Sequence, residues 1–183
     1  CDYWKLTPHL DVVSHNVYPE WGHPRGNVEI GMETGFVHDV VRTHKRRPFL
    51  LMESTPSVPN NRDVAPLKRP GVHKLASMQA VAHGSDSVQY FQWRQSRGAF
   101  EKFHGAVVTH HGHEHTRVFG EVAEVGRTLE KLDGVVGTCA EPEVAVMFDW
   151  DCRRALEMAS GGPGNANKGY EAGVREHYRE FWS

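Results

Sequence analysis

The chain has 183 residues, 39% of them hydrophobic and 24% charged, with a formal net charge of −2. That balance describes an ordinary globular chain of one domain or pieces of two, and it excludes a basic surface built for nucleic acid or anionic membranes. No apolar run is long enough to span a bilayer.

The opening Cys1-Asp2-Tyr3-Trp4 has no basic segment and no long apolar one, so it does not read as a signal peptide. It lacks an initiator methionine, and the chain is expected to begin inside a longer protein. Asp11 to Ser14 reads as a short buried strand, with Tyr18-Pro19 in the loop after it. Ile30 to Lys45 reads as a helix from the spacing of Phe36, Val37, Val40 and Val41. Phe49 to Met52 is a second strand that ends in a carboxylate, Glu53. The long loop from Ser54 to Lys68 carries Pro56, Pro59 and Pro66, and Pro70 suits the first turn of the next helix. Val72, Leu75, Ala76, Gln79 and Ala82 form one face of that helix. Ser87 to Gln92 is a third strand, followed by a His- and Gly-rich loop from Arg94 to His115. The helix after it carries Val118, Phe119, Val122, Val125, Leu129 and Leu132.

Strand, loop and helix thus recur three times. Parallel strands with right-handed helical crossovers are the expected assembly, an α/β fold. The loops after strands are longer than those after helices, as in an enzymatic βα-barrel. Three units cannot close a barrel of eight, so the fold is expected to be part of one. A boundary is expected between Gly134 and Glu141, giving one domain over 1–137 and the start of a second over 138–183. In the second, Glu143 to Trp150 reads as a near-continuous apolar strand, Arg153 to Met158 as a short helix and Gly161 to Gly169 as a loop. Tyr170 to Trp182 reads as a helix with Val174, His177, Tyr178 and Phe181 on one face.

Glu53 is the first candidate for chemistry. The carboxyl end of a buried parallel strand is where α/β enzymes place their sites, although a Glu there can also cap the next turn. A nucleophilic carboxylate needs that rigidity, and in a retaining glycosidase its partner acid lies about 5–5.5 Å away. Trp93, at the end of the third strand, can serve as a sugar platform or pack the rim. Glu101 and His104 stand three residues apart, and on a helical turn they would point the same way and hold two hydroxyls of one sugar. His111, Glu114 and His115 match the H-x-x-E-H spacing of a zinc metallopeptidase, but Gly112 interrupts the helix which that chemistry needs. Cys1, Cys139 and Cys152 form neither an even framework nor a C-x-x-C pair, so a reducing, cytoplasmic location is expected. The 161–164 run has no phosphate-loop register.

Leu51 to Ser57 with Leu67 to Gly71 resembles the nucleophile region of the family 42 glycoside hydrolases, which are β-galactosidases. The resemblance continues through Gln79 to Gly84, Val88 to Arg94, Glu101 to Ala106 and Gly112 to Glu114. Ala145 to Trp150 resembles the opening strand of the family's trimerisation domain. The resemblance implies a C-terminal portion of a (β/α)8 TIM barrel, strands six to eight, followed by the beginning of an α/β trimerisation domain. It implies Glu53 as nucleophile, Glu101 and His104 as ligands of galactose hydroxyls, and Tyr18 and Trp93 along the cleft. Departures are present. The acid/base Glu of the family is absent from this chain. Asn61 stands where the family usually has a stacking Trp, and His15-Asn16-Val17-Tyr18-Pro19 stands where it tends to have Trp-Asp-Asn-Tyr-Pro. The cysteine zinc site of some relatives is not reproduced, and no cofactor is expected.

The expected activity is therefore retaining hydrolysis of terminal β-galactose by a full-length homotrimer, through a galactosyl-enzyme on Glu53. The chain alone is expected to be inactive. Rival readings are a non-catalytic sugar-binding or assembly module, and a metallopeptidase using His111, Glu114 and His115.

Overall fold

The computed structural model describes residues 2–159 and 169–182. Three parallel strands lie side by side in chain order: β1 (Ser14–Asn16), β2 (Phe49–Ser54) and β3 (Ser85–Tyr90). Parallel neighbours need crossovers, and helices supply them. In chain order the helices are α1 (Tyr3–Leu6), α2 (Asn27–Thr43), α3 (Val72–Ala82), α4 (Arg117–Leu129), α5 (Trp150–Ala159) and α6 (Tyr170–Trp182). β2, the middle strand, is the most enclosed, with Phe49 and Leu51 buried.

The alternation expected from the sequence is present, with shifted boundaries. β1 begins three residues later than expected, because its ladder starts where the Leu50 amide meets the Val13 carbonyl at 3.0 Å. α2 starts at Asn27, and Arg46, with φ of 52°, turns the chain out before β2. Pro70 lies outside α3: Gly71, left-handed at φ 83°, is its N-cap. The buried face of α3 is also rotated from the expected one. His73, Ser77 and Ala80 are buried with Val72, while Leu75 is exposed. Ser77 explains the rotation, since its hydroxyl meets the Tyr90 hydroxyl of β3 at 3.0 Å.

The expected strand from Glu143 to Trp150 does not form. Residues 144–149 carry no regular structure and α5 begins at Trp150. A strand needs a partner for its backbone, and among the described residues none lies beside this segment. Phe148 instead anchors it, with its ring 5.9 Å from Phe36, 4.8 Å from Trp150 and 5.9 Å from Tyr170. Of the expected 161–169 loop, residues 161–168 lie outside the described residues.

α6 returns to α2. Arg179 forks onto Glu29 at 2.5 and 2.6 Å, and Arg175 reaches Glu33 at 3.3 Å. Of its expected face, Val174 is buried and Tyr178 half-buried, but Phe181 is exposed; Trp182 takes the packing role. Gly35 permits this approach, because a Cβ there would sit 2.8 Å from the Trp182 indole nitrogen. Tyr178 donates to Asp39 at 2.6 Å, and the same carboxylate accepts from His83 at 3.0 Å and Arg42 at 2.8 Å. Burial opposes ionisation of Asp39, but these donors outweigh it and hold its pKa below the usual value. Among the described residues no helix is long and apolar enough to cross a membrane.

Candidate active site

Glu53 stands one residue from the carboxyl end of β2. The β1–β2 register pairs His15 with Leu51 and then Asn16 with Glu53, so Met52 is an extra residue opposite β1. Such a bulge re-aims the side chain that follows it. Three consecutive residues of the β1 end then hold Glu53. The Asn16 amide donates to its carboxylate, the Val17 amide to its main-chain carbonyl at 3.0 Å, and the Tyr18 hydroxyl to its carboxylate. Burial first, and then that bond to Glu53, raises the Tyr18 pKa, so the phenol stays protonated as a donor.

His104 is buried, with its ring edge-on to Tyr18 at 5.6 Å and to Phe91 at 4.9 Å. Its Nδ1 donates to the Gly105 carbonyl at 2.9 Å, which leaves Nε2 as the ring's acceptor. Gly105 is required by close approach. Its amide donates to the Val58 carbonyl at 2.7 Å, and a Cβ would meet the Val58 nitrogen at 2.8 Å. The loop after β3 is thereby laid against the loop after β2.

Glu101 lies in a 3-10 turn, Phe100–Phe103, and its carboxylate accepts from Asn60 at 2.8 Å. Glu101 and His104 therefore come to one end of the sheet with Glu53 and Tyr18, linked through the 54–60 loop rather than to each other's side chains. Trp93 is exposed, and its ring meets Phe119 of α4 at 6.3 Å. Sequence reasoning missed Asn16 as a donor to Glu53. Its signal was available in the period of two that places Asn16 and Tyr18 on one side of an extended chain.

The H-x-x-E-H residues lie before α4, which starts at Arg117. His111, Glu114 and His115 are exposed, and His115 meets its neighbour Glu114 at 3.7 Å. They lack the shared helix face a zinc peptidase needs. Among the described residues no group of three or more His, Cys, Asp or Glu is placed to hold a metal ion. Cys139 and Cys152 are both free and exposed, and Cys1 lies outside the described residues.

The loops after β1 and β2 diverge around a cavity of about 600 Å³, whose lining runs from Pro19 to Pro24 and, on the second loop, starts at Ser57 and ends at Lys68. Asn61 and Arg62 line it from one side, and Trp21 and His23 from the other. Arg62 donates to the Tyr18 carbonyl at 2.9 Å and pairs with Glu20. Lys68 lies buried at its floor and donates to the Thr55 carbonyl at 2.6 Å. Burial pushes that ammonium down to about 8, against the opposing pull of Glu121.

A family model described as β-galactosidase, glycoside hydrolase family 42, matches residues 1–132. The chain is 54% identical over 182 residues to β-galactosidase Pbg of Clostridium perfringens, covering 99% of this chain and 26% of that one. It is 52% identical over 181 residues to β-galactosidase BglY of Alicyclobacillus acidocaldarius, again covering 99% and 26%. Among solved structures, a catalytic mutant of a GH42 β-galactosidase from G. stearothermophilus superposes with a TM-score of 0.94 at 50% identity, covering 99% of this chain and 26% of that one. A β-galactosidase from Rahnella sp. R3 superposes at 0.90 with 49% identity, covering 99% and 27%. The chain thus spans about a quarter of the length of the relatives it matches.

Proposed function

The chain belongs to the family 42 glycoside hydrolases, and from that premise we propose that the whole protein is a retaining β-galactosidase with Glu53 as its nucleophile. The observation that carries this is a strand-end carboxylate held by two side-chain donors, Asn16 and Tyr18, and by a main-chain bond through Val17. A carboxylate that attacks must be fixed in position, and these donors hold it there.

Glu53 attacks the anomeric carbon as the glycosidic C–O bond breaks. The departing oxygen takes a proton from an acid that lies outside these residues. In the second step that group, now a base, removes a proton from water, which attacks the same carbon and frees the Glu53 carboxylate. Glu101 accepts from sugar hydroxyls, and His104 Nε2 does the same from a fixed ring. Trp93 offers an exposed aromatic face for a C–H surface of the sugar.

In the same reading the three strands are strands six to eight of a TIM barrel. The matched span ends at residue 132, which supports a barrel portion over 1–137 and a second domain from 138. The homotrimer and the trimerisation role of that domain rest on family membership alone. No cofactor takes part in this reading, and the free Cys139 and Cys152 suit a cytoplasmic location.

The test is Glu53→Gln in the complete protein with a nitrophenyl β-galactoside. Turnover is expected to fall more than about a thousandfold, as for loss of a covalent nucleophile. Wild-type-like turnover by a folded variant refutes the assignment.

A further inference from the structure

Asn60 stands in the loop after β2 and reaches across to the loop after β3. Its side-chain amide donates to the Phe100 carbonyl and to Glu101 Oε2, each at 2.8 Å. An amide nitrogen carries two hydrogens, and here both partners are acceptors. Turned over, the amide would set its oxygen against a carbonyl and a carboxylate, so its orientation is fixed. The turn that carries Glu101 is held at further points. Gln92 Nε2 donates to the Glu101 carbonyl at 3.2 Å, and Ser96 donates to Gln92 Oε1 at 3.1 Å. Two residues before Asn60, the Val58 carbonyl accepts from the Gly105 amide at 2.7 Å. The loop after β2 thus grips the loop after β3 at the start of the Phe100–Phe103 turn and again just past its end.

This clamp decides how Glu101 presents itself. A glutamate carboxylate sits beyond several rotatable bonds, and without a partner it samples several rotamers. Asn60 occupies Oε2. Oε1 accepts from no donor among the described residues, so it is the oxygen left for a sugar hydroxyl. Glu101 lies close to the Glu53 site: after burial and the bond to Glu53, its charge also raises the Tyr18 pKa. A neutral donor suits the task. It orients the carboxylate without neutralising it, whereas an ammonium there would compete with the hydroxyl for the negative charge.

We infer that Asn60 is a specificity-determining positioning residue. By filling Glu101 Oε2 it fixes Oε1 at one place, and sugars are sorted by whether they carry a hydroxyl that reaches it. The inference rests on the reading of Glu101 as an acceptor of sugar hydroxyls in a galactosidase.

The complete protein provides the test. Wild type, Asn60→Ala, Asn60→Asp and Glu101→Ala are assayed on a nitrophenyl β-galactoside and on its monodeoxy analogues, each lacking one sugar hydroxyl. Asn60→Asp keeps the shape of the side chain and loses both donors. Both Asn60 variants are expected to lower kcat/KM for the galactoside about tenfold to a hundredfold. On one analogue, the one without the hydroxyl that meets Oε1, that loss should shrink to within about twofold, and Glu101→Ala should single out the same analogue. A merely structural role would lower all the substrates alike. An equal loss on every substrate, or no loss in either folded Asn60 variant, overturns the inference and leaves Glu101 and Glu53 intact. A Glu101→Ala protein as active as wild type overturns the reading of Glu101 and this inference with it.

Discussion

His73 makes acid sensitivity of this fold calculable. The residue is fully buried on α3, and neither ring nitrogen has a hydrogen-bond partner among the described residues. Its ring lies 4.8 Å from that of Tyr90. Burial, then the charges of Lys68 and Arg117, push its pKa down from 6.5 to about 3. The folded state therefore refuses a proton that the unfolded chain accepts. Stability from this group is complete above pH 6.5 and drains as pH falls toward 3, by about 1.4 kcal/mol per pH unit. At pH 5 the loss is about 2 kcal/mol. In His73→Leu the linkage disappears. At neutral pH, relief of two unpartnered nitrogens, about 1–3 kcal/mol, is set against a lost ring contact of about 1 kcal/mol. Urea unfolding of the complete wild-type and His73→Leu proteins, at pH 7.5 and pH 5, measures the difference. The variant should gain about 2 kcal/mol on wild type between those pH values. A difference that stays constant with pH would refute the claim that His73 is held neutral.

Two further changes probe the site and the α2–α6 contact. Tyr18→Phe removes the donor to Glu53 and keeps the ring edge against His104; kcat for a nitrophenyl galactoside should fall about tenfold to a hundredfold with little change in the urea midpoint, and equal kinetics would dismiss the hydroxyl. Asp39→Ala leaves Tyr178 and His83 without their shared acceptor and should cost about 2–3 kcal/mol, read as a lower urea midpoint and faster proteolysis ahead of α6. Because the Asp39 pKa is held below its unfolded value, its contribution is present above pH 3.8 and is lost as pH falls below that, so the wild-type advantage over the alanine variant should shrink only in strong acid.

The β–loop–α alternation was legible because local pattern and tertiary role agree in it. Phe49 and Leu51 are apolar where β2 is enclosed, and Val118 and Val125 are apolar where α4 is buried. Legibility failed where an apolar run had a different use. Val144 to Phe148 looks like a strand, yet strand formation depends on a partner that periodicity does not reveal, and Phe148 instead packs against Phe36. It failed on α3 because polar residues hold the buried face: Ser77 bonds to Tyr90 and His73 lies beneath it. Glu53, Tyr18, Glu101 and His104 were legible as a group because they sit in distinctive motifs after strands. The cavity was not, because its walls come from residues 19–24 and 57–68, which meet only in the fold.

The geometry at Glu53 also explains why so short a β1 suffices. A strand of three residues adds little pairing, and its ladder to β2 is irregular where it matters. The extra residue, Met52, brings Asn16 opposite Glu53. In an extended chain Asn16 and Tyr18 share a side, so both can reach one carboxylate, while the Val17 amide between them takes the Glu53 carbonyl. A one-residue slip would turn both donors away together and place His15 and Val17 toward the carboxylate instead. Below the bulge, His15 meets His38 at 3.0 Å and Ser14 pairs with Leu50, so slip would also cost a buried contact. The register that packs the interior is thus the register that aims the Glu53 carboxylate. Strand pairing at the bottom of β1 and carboxylate orientation at its top are one constraint, imposed by a single inserted residue.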